Sequence, residues 1–180
     1  MTSPGAALGI LGGTFDPPHN GHVSLAEAAR EQLPIDELEI WVQEHPGHRG
    51  VFADPQTRLT LADAAFPGFD VRLEPHPFTA DAVRGGEEAL FVVGADQAAD
   101  FERWKDPEEV LKWVKLAVGT RGGYEMPDLS RWGDRIVPFE LASPEVSSSE
   151  VRERVAAGET IADLVPPAVA QLIEELGLYR

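Results

Sequence analysis

Two histidines, His19 and His22, stand three residues apart behind the turn Gly12-Gly13-Thr14-Phe15-Asp16-Pro17-Pro18. At the start of a helix that spacing lets both rings project from one face of the first turn, where each can donate an N–H to a phosphate oxygen. The glycines fall where a strand passes into that helix, a place where backbone approaches a ligand closely and free helix N–H groups lie just beyond. Phosphate is the ligand this combination suits. Each part alone has an ordinary reading, a hydrogen-bonded structural histidine or a tight turn, and only together do they point to an anion. Zinc fits poorly, because His-x-x-His still needs a third protein ligand and His45, His48 and His76 offer no ligand spacing.

A second constellation lies far along the chain, at Ser147-Ser148-Ser149-Glu150-Val151-Arg152. Ser147 and Glu150 have the spacing of a capping box, which is a purely structural role. Arg152, expected in the first turn of the same helix, is opposed by the helix dipole unless an anion binds there, and a triphosphate would supply one. Between the two, Gly94-Ala95-Asp96 closes a strand, and Asp96 is expected as N-cap of the next helix. Trp104, at helical spacing, reads first as a core residue.

These residues need a scaffold. Residues 7–11 are apolar throughout, as in a strand buried on both faces. Residues 21–33 carry Val23, Ala26, Ala29 and Leu33 at helical intervals, with Asn20 expected as N-cap and Pro34 as terminator. Further strands are expected at 38–42, 70–73, 89–93, 114–118 and 135–139, helices at 55–66, about 96–113, 149–157 and 166–176, and a loop at 119–134. This order predicts one α/β domain over residues 1–180, a Rossmann-like doubly wound parallel sheet with C-terminal helices. Its ligands belong outside the carboxyl ends of the strands.

Composition narrows the function. A net charge of −16, from 31 acidic and 15 basic residues, argues against long nucleic acid as a partner. A local cluster of His, Arg and backbone N–H groups can still hold a small anion in a negative overall field. With no cysteine, thiolate chemistry and disulfides are excluded. No apolar run approaches a membrane span, and Ala6 to Leu11 is too short for a signal-peptide core, so cytoplasm is the expectation.

The stretch Gly12 to His22 resembles the glycine-rich, His-x-Gly-His-like signature of the adenylyltransferases related to class I aminoacyl-tRNA synthetases. Its Gly-Gly-Thr-Phe-Asp-Pro start is most similar to the bacterial nicotinate-nucleotide adenylyltransferases. Val146 to Arg152 is similar to the Ile-Ser-Ser-Thr-x-Ile-Arg motif that this family carries after its last strand. Gly94-Ala95-Asp96, Trp104, Leu164 to Val169 and Gly177-Leu178-Tyr179 extend the resemblance along nearly the whole chain.

The resemblance implies that His19, His22 and Arg152 act on the phosphates of ATP. Gly12, Gly13, Thr14, Phe15, Gly94, Asp96, Ser147, Ser148 and Ser149 would bind that nucleotide. Magnesium would accompany ATP without a dedicated protein cage. The implied acceptor is nicotinate mononucleotide, held by Arg49, Thr79 and Trp104, with deamido-NAD and pyrophosphate as products.

Two segments depart from the family pattern, Pro46-Gly47-His48-Arg49 where Pro-Pro-His-Lys is usual and Pro77-Phe78-Thr79-Ala80-Asp81-Ala82 where Ser-Tyr-Thr-x-x-Thr is usual. Other acceptors, nicotinamide mononucleotide or pantetheine phosphate, therefore stay open, as does a nucleotide-binding regulator without turnover. An RNA-binding role is opposed by the charge. A homo-oligomer is compatible with the sequence.

Overall fold

The structure, a computed structural model, describes residues 7–47 and 50–180. The readings of the N-terminal segment before Ala7 and of His48 and Arg49 lie outside the described residues. Six strands, β1 (Leu8–Gly13), β2 (Glu37–Gln43), β3 (Asp70–Glu74), β4 (Ala89–Gly94), β5 (Val114–Arg121) and β6 (Ile136–Leu141), form one sheet in the order β3-β2-β1-β4-β5-β6. Every neighbouring pair is parallel. This is the α/β architecture the sequence predicts.

Successive strand residues point to opposite faces, and both faces are covered. Leu11, Ile40, Val42, Val92 and Ala117 join a core under α1 (Asn20–Gln32), α2 (Pro55–Ala65), α6 (Ser148–Ala157) and α7 (Pro167–Glu175). Ile10, Trp41, Phe91, Val93, Leu116 and Val118 face the core shared with α3 (Thr79–Val83), α4 (Ala95–Ala99) and α5 (Pro107–Trp113). The chain lays down β1, β2 and β3 in one direction and then returns to put β4 on the other side of β1. That reversal opens a crevice beyond the carboxyl ends of β1 and β4, where sheets of this kind bind ligands.

Several boundaries differ from expectation for local reasons. The N-cap of α1 is His19, in extended conformation, while Asn20 is already helical and ties the helix to Leu164 and Asp163 through its backbone N–H and side-chain amide. The helix expected over 96–113 is three pieces, α4, a 3-10 turn at Phe101–Arg103, and α5. Pro107 disfavours helical geometry at Asp106, which sits instead at φ 49°, and Trp104 is extended rather than helical. Gly94 caps α4, so Asp96 is not its N-cap but lies in its first turn. The strand β5 runs on through Arg121 into what the sequence reads as loop, and a 3-10 segment, Ser130–Arg135, precedes β6. Among the described residues no helix is long and apolar enough to cross a membrane.

Candidate active site

The turn after β1 is built around Phe15. Its φ of 51° is a left-handed geometry that a bulky residue adopts only when its surroundings hold it there. The ring is 2% exposed and packs edge-on to Phe66 at 5.4 Å and to His22 at 5.0 Å. Gly13 is required by that packing, since a Cβ there would lie 2.9 Å from the Phe15 ring. The ring thus braces His22 from beneath.

Above it, His19 and His22 stack with centroids 3.7 Å apart and planes 20° from parallel. Gly21 permits the stack, because a Cβ there would meet the His19 ring at 3.0 Å. The His19 backbone N–H donates to His22 Nδ1 at 3.2 Å. With Nδ1 accepting, the neutral His22 ring carries its proton on Nε2 and is a donor on that side. Burial holds the His19 pKa at about 4, and burial with the neighbouring His19 pushes His22 well below the ordinary histidine range. Both rings are therefore neutral donors at neutral pH, ready to meet an anion without a standing buried charge. His19 Nδ1 is buried and lacks a hydrogen-bond partner among the described residues.

The opposite wall is the start of α6. Ser147 is its N-cap and accepts from the Glu150 N–H at 3.1 Å, which is half of the expected capping box; the Glu150 carboxylate pairs with Arg154 at 2.9 Å instead of reaching back. Ser148 donates its hydroxyl to the Pro17 carbonyl at 2.8 Å, fastening α6 to the turn after β1. With these hydroxyls engaged, the groups that α6 offers an anion are its first backbone N–H groups, which have no intrahelical acceptor.

Arg152 lies one turn into the helix rather than in its first turn, and its side chain leans back toward the N-terminus, as helical side chains do. It donates to the Asp16 carbonyl at 2.7 Å and to Ser149 Oγ at 3.1 Å.

Asp16 joins the two walls, a role that residue type and spacing alone do not reveal. Its carboxylate is buried and accepts from the Phe52 N–H at 2.6 Å, the Ala53 N–H at 3.2 Å and the Tyr179 hydroxyl at 2.7 Å. Burial, then the bond to Asp16, pushes the Tyr179 pKa up. Beneath it, Arg58 is fully buried and donates to the carbonyls of Ala53, Thr14, Gln43 and Glu44. One guanidinium thereby fixes the turn after β1, the end of β2 and the start of α2. The available signal was position: Arg58 precedes Leu61 and Ala62 by three and four residues, on the buried stripe of α2.

These elements enclose a cleft of about 630 Å³ at the carboxyl ends of β1, β4 and β5. It brings together Thr14, His19, His22, Gly94, Asp96, Ser147, Ser148, Ser149 and Arg152 from three separate segments. Arg121 and Tyr124, which the sequence reading passed over, also line it, with the Arg121 guanidinium 5.3 Å from the Tyr124 ring. Gly12, Gly13 and Phe15 lie beneath the cleft and do not line it. Thr79 and Trp104 are not among its lining residues either. Thr79 opens α3, and Trp104 packs edge-on to Phe101 at 5.1 Å and Phe91 at 6.1 Å. Phe91 in turn underlies Gly12, so Trp104 stands on the other face of the sheet beside the turn after β1.

A crevice at the switch point of a parallel sheet, walled by two histidine donors and a helix N-terminus with an arginine, is the arrangement of a nucleotidyltransferase, and a cytidylyltransferase-like family model matches residues 10–154. A relative from Chlorobium luteolum named nicotinate-nucleotide adenylyltransferase is 35% identical over 192 residues, covering 96% of this chain and 98% of the relative. One of the same name from Thermus thermophilus is 34% identical over 187 residues, covering 96% and 99%. The chain belongs to the nicotinate-nucleotide adenylyltransferase family. Its fold is also that of the nicotinic acid mononucleotide adenylyltransferase of Plasmodium falciparum, solved in complex with NaAD, at a TM-score of 0.79 with 15% identity and 97% of each chain covered.

Proposed function

We propose that this chain transfers the adenylyl group of ATP to the phosphate of nicotinate mononucleotide, forming deamido-NAD and releasing pyrophosphate. The observation that carries the reading is the single cleft in which the His19–His22 stack faces the start of α6 and Arg152. A phosphate oxygen of the acceptor attacks the α-phosphorus in line as the bond to the β-phosphate oxygen breaks. Such a transfer needs positioning and charge stabilisation, and no covalent intermediate on the protein.

In this reading His22 donates from Nε2 to a non-bridging oxygen of the α-phosphate, where charge grows, and His19 donates to the β-phosphate. Arg152 and the first N–H groups of α6 take the β- and γ-phosphates, Asp96 the ribose, and Arg49 adds positive charge on the phosphates. Thr79 and Trp104 receive the acceptor ring from the neighbouring face. No group of three His, Asp or Glu side chains among the described residues is arranged to hold a metal, and Asp16 is committed to three donors. Magnesium would enter with the triphosphate and supply charge neutralisation there when bound. The setting proposed is the cytoplasm, with the whole chain as one catalytic unit.

The test is pyrophosphate release at fixed ATP and magnesium with nicotinate mononucleotide, comparing wild type with His22→Ala. The wild type is expected to release pyrophosphate only with acceptor present. The variant is expected to lose roughly 100- to 1000-fold in turnover with a smaller change in acceptor KM. A loss confined to binding would remove His22 from the transition state.

A further inference from the structure

We infer that Phe52 is a positioning residue for Arg152, its ring holding the guanidinium in place before ATP arrives; the inference rests on the assignment of Arg152 to the ATP phosphates. The Phe52 side chain is 69% exposed. Its ring lies under the Arg152 guanidinium, with Cζ 4.3 Å from the ring centroid. That is the geometry in which a cation is attracted by the negative face of an aromatic ring.

Three contacts close a circuit. The Phe52 N–H donates to the Asp16 carboxylate at 2.6 Å, the Asp16 carbonyl accepts from Arg152 at 2.7 Å, and the guanidinium returns to the Phe52 ring. The next residue, Ala53, is buried and also donates to the Asp16 carboxylate, so the peptide groups on both sides of the Phe52 Cα are anchored. Ser149 Oγ fixes the other end of the guanidinium fork. One face of Arg152 and two of its donors are thus occupied by protein, and its remaining donors are left for the cleft that it lines. An arginine held this way loses less rotamer freedom when a phosphate binds, which raises affinity without adding a contact to the ligand.

The experiment measures calorimetric binding of ATP with magnesium, pyrophosphate release and thermal unfolding for wild type, Phe52→Leu and Phe52→Tyr. It adds Phe52→Leu in an Arg152→Met background. An exposed cation–π contact predicts that Phe52→Leu weakens ATP binding roughly two- to fivefold. Acceptor KM and the unfolding temperature should stay at wild-type values, and Phe52→Tyr should restore binding. In the Arg152→Met background the leucine substitution should have no further effect.

Wild-type ATP affinity in Phe52→Leu overturns the inference, as does equal loss in Phe52→Leu and Phe52→Tyr, or an undiminished loss in the Arg152→Met background. A wild type that binds ATP yet releases no pyrophosphate overturns the catalytic reading instead, and the binding comparison then still decides the role of Phe52.

Discussion

Replacing Arg58 by methionine tests how the site is held together. The side chain is 0% exposed, and its guanidinium makes four hydrogen bonds to the carbonyls of Ala53, Thr14, Gln43 and Glu44, at 2.6 to 3.0 Å. Methionine fills much of the volume but leaves those four acceptors without their donor. Each unsatisfied buried acceptor costs roughly 1–3 kcal/mol, and the four are not independent, because relaxation at one relieves its neighbours. Burial disfavours the Arg58 cation, and the four carbonyl acceptors hold it in place. Taken together and discounted for that relief, the four orphaned acceptors cost about 3–5 kcal/mol. For a chain of this size that is a fall in unfolding temperature of roughly 6–20 °C. Calorimetry and urea unfolding at neutral pH read it directly. Arg58→Lys should recover only part, since a point-like ammonium on a flexible stem cannot span the acceptors that the guanidinium fork reaches. Activity measured while Arg58→Met is still folded should fall as well, because Thr14 and the segment after β2 lose their common anchor. A loss of stability under about 1 kcal/mol would refute the claim that Arg58 knits these segments together.

Two further outcomes follow from the titratable groups. His19 is neutral in the folded protein with a pKa of about 4, against an ordinary value of 6.5, so between those values the unfolded chain binds a proton that the folded chain does not. Its contribution is complete above pH 6.5 and is lost as pH falls toward 4, a span of about 3 kcal/mol, with His22 acting in the same direction. Urea unfolding across that range should show a shallower decline for His19→Asn than for wild type, and an equal decline would sink the assignment. Tyr179→Phe removes one donor from the buried Asp16 carboxylate and should cost about 1 kcal/mol. Because the Tyr179 phenol is pushed upward, absorbance titrations of wild type and this variant should coincide until alkaline unfolding; an extra ionising phenol in the wild type would contradict the buried bond.

What was legible in the sequence was local. The apolar run at β1, the helical spacing of Val23, Ala26 and Ala29, and the serine cap before Arg152 each depend on neighbours within a few residues, and their order along the chain is enough to set the sheet and the two walls. The break at Asp106-Pro107 was readable too, from the restriction that proline places on the residue before it. The five-residue α3 was not, because one turn of helix has too few apolar repeats to show a period. Hidden altogether was the wiring among Asp16, Phe52, Arg58, Arg152 and Tyr179. These residues come from separate elements, and their hydrogen bonds are decided by tertiary packing rather than by spacing. Asn20 shows the same limit in miniature: its type favours capping, yet His22 takes the N–H of His19 and moves the cap one residue back.

The most direct test of the account compares kcat/KM for nicotinate mononucleotide and nicotinamide mononucleotide at saturating ATP and magnesium, with the dinucleotide product identified by mass. The account predicts deamido-NAD and stoichiometric pyrophosphate with a clear preference for the nicotinate acceptor. Equal or greater efficiency with the nicotinamide form, or no dinucleotide from either, would contradict it.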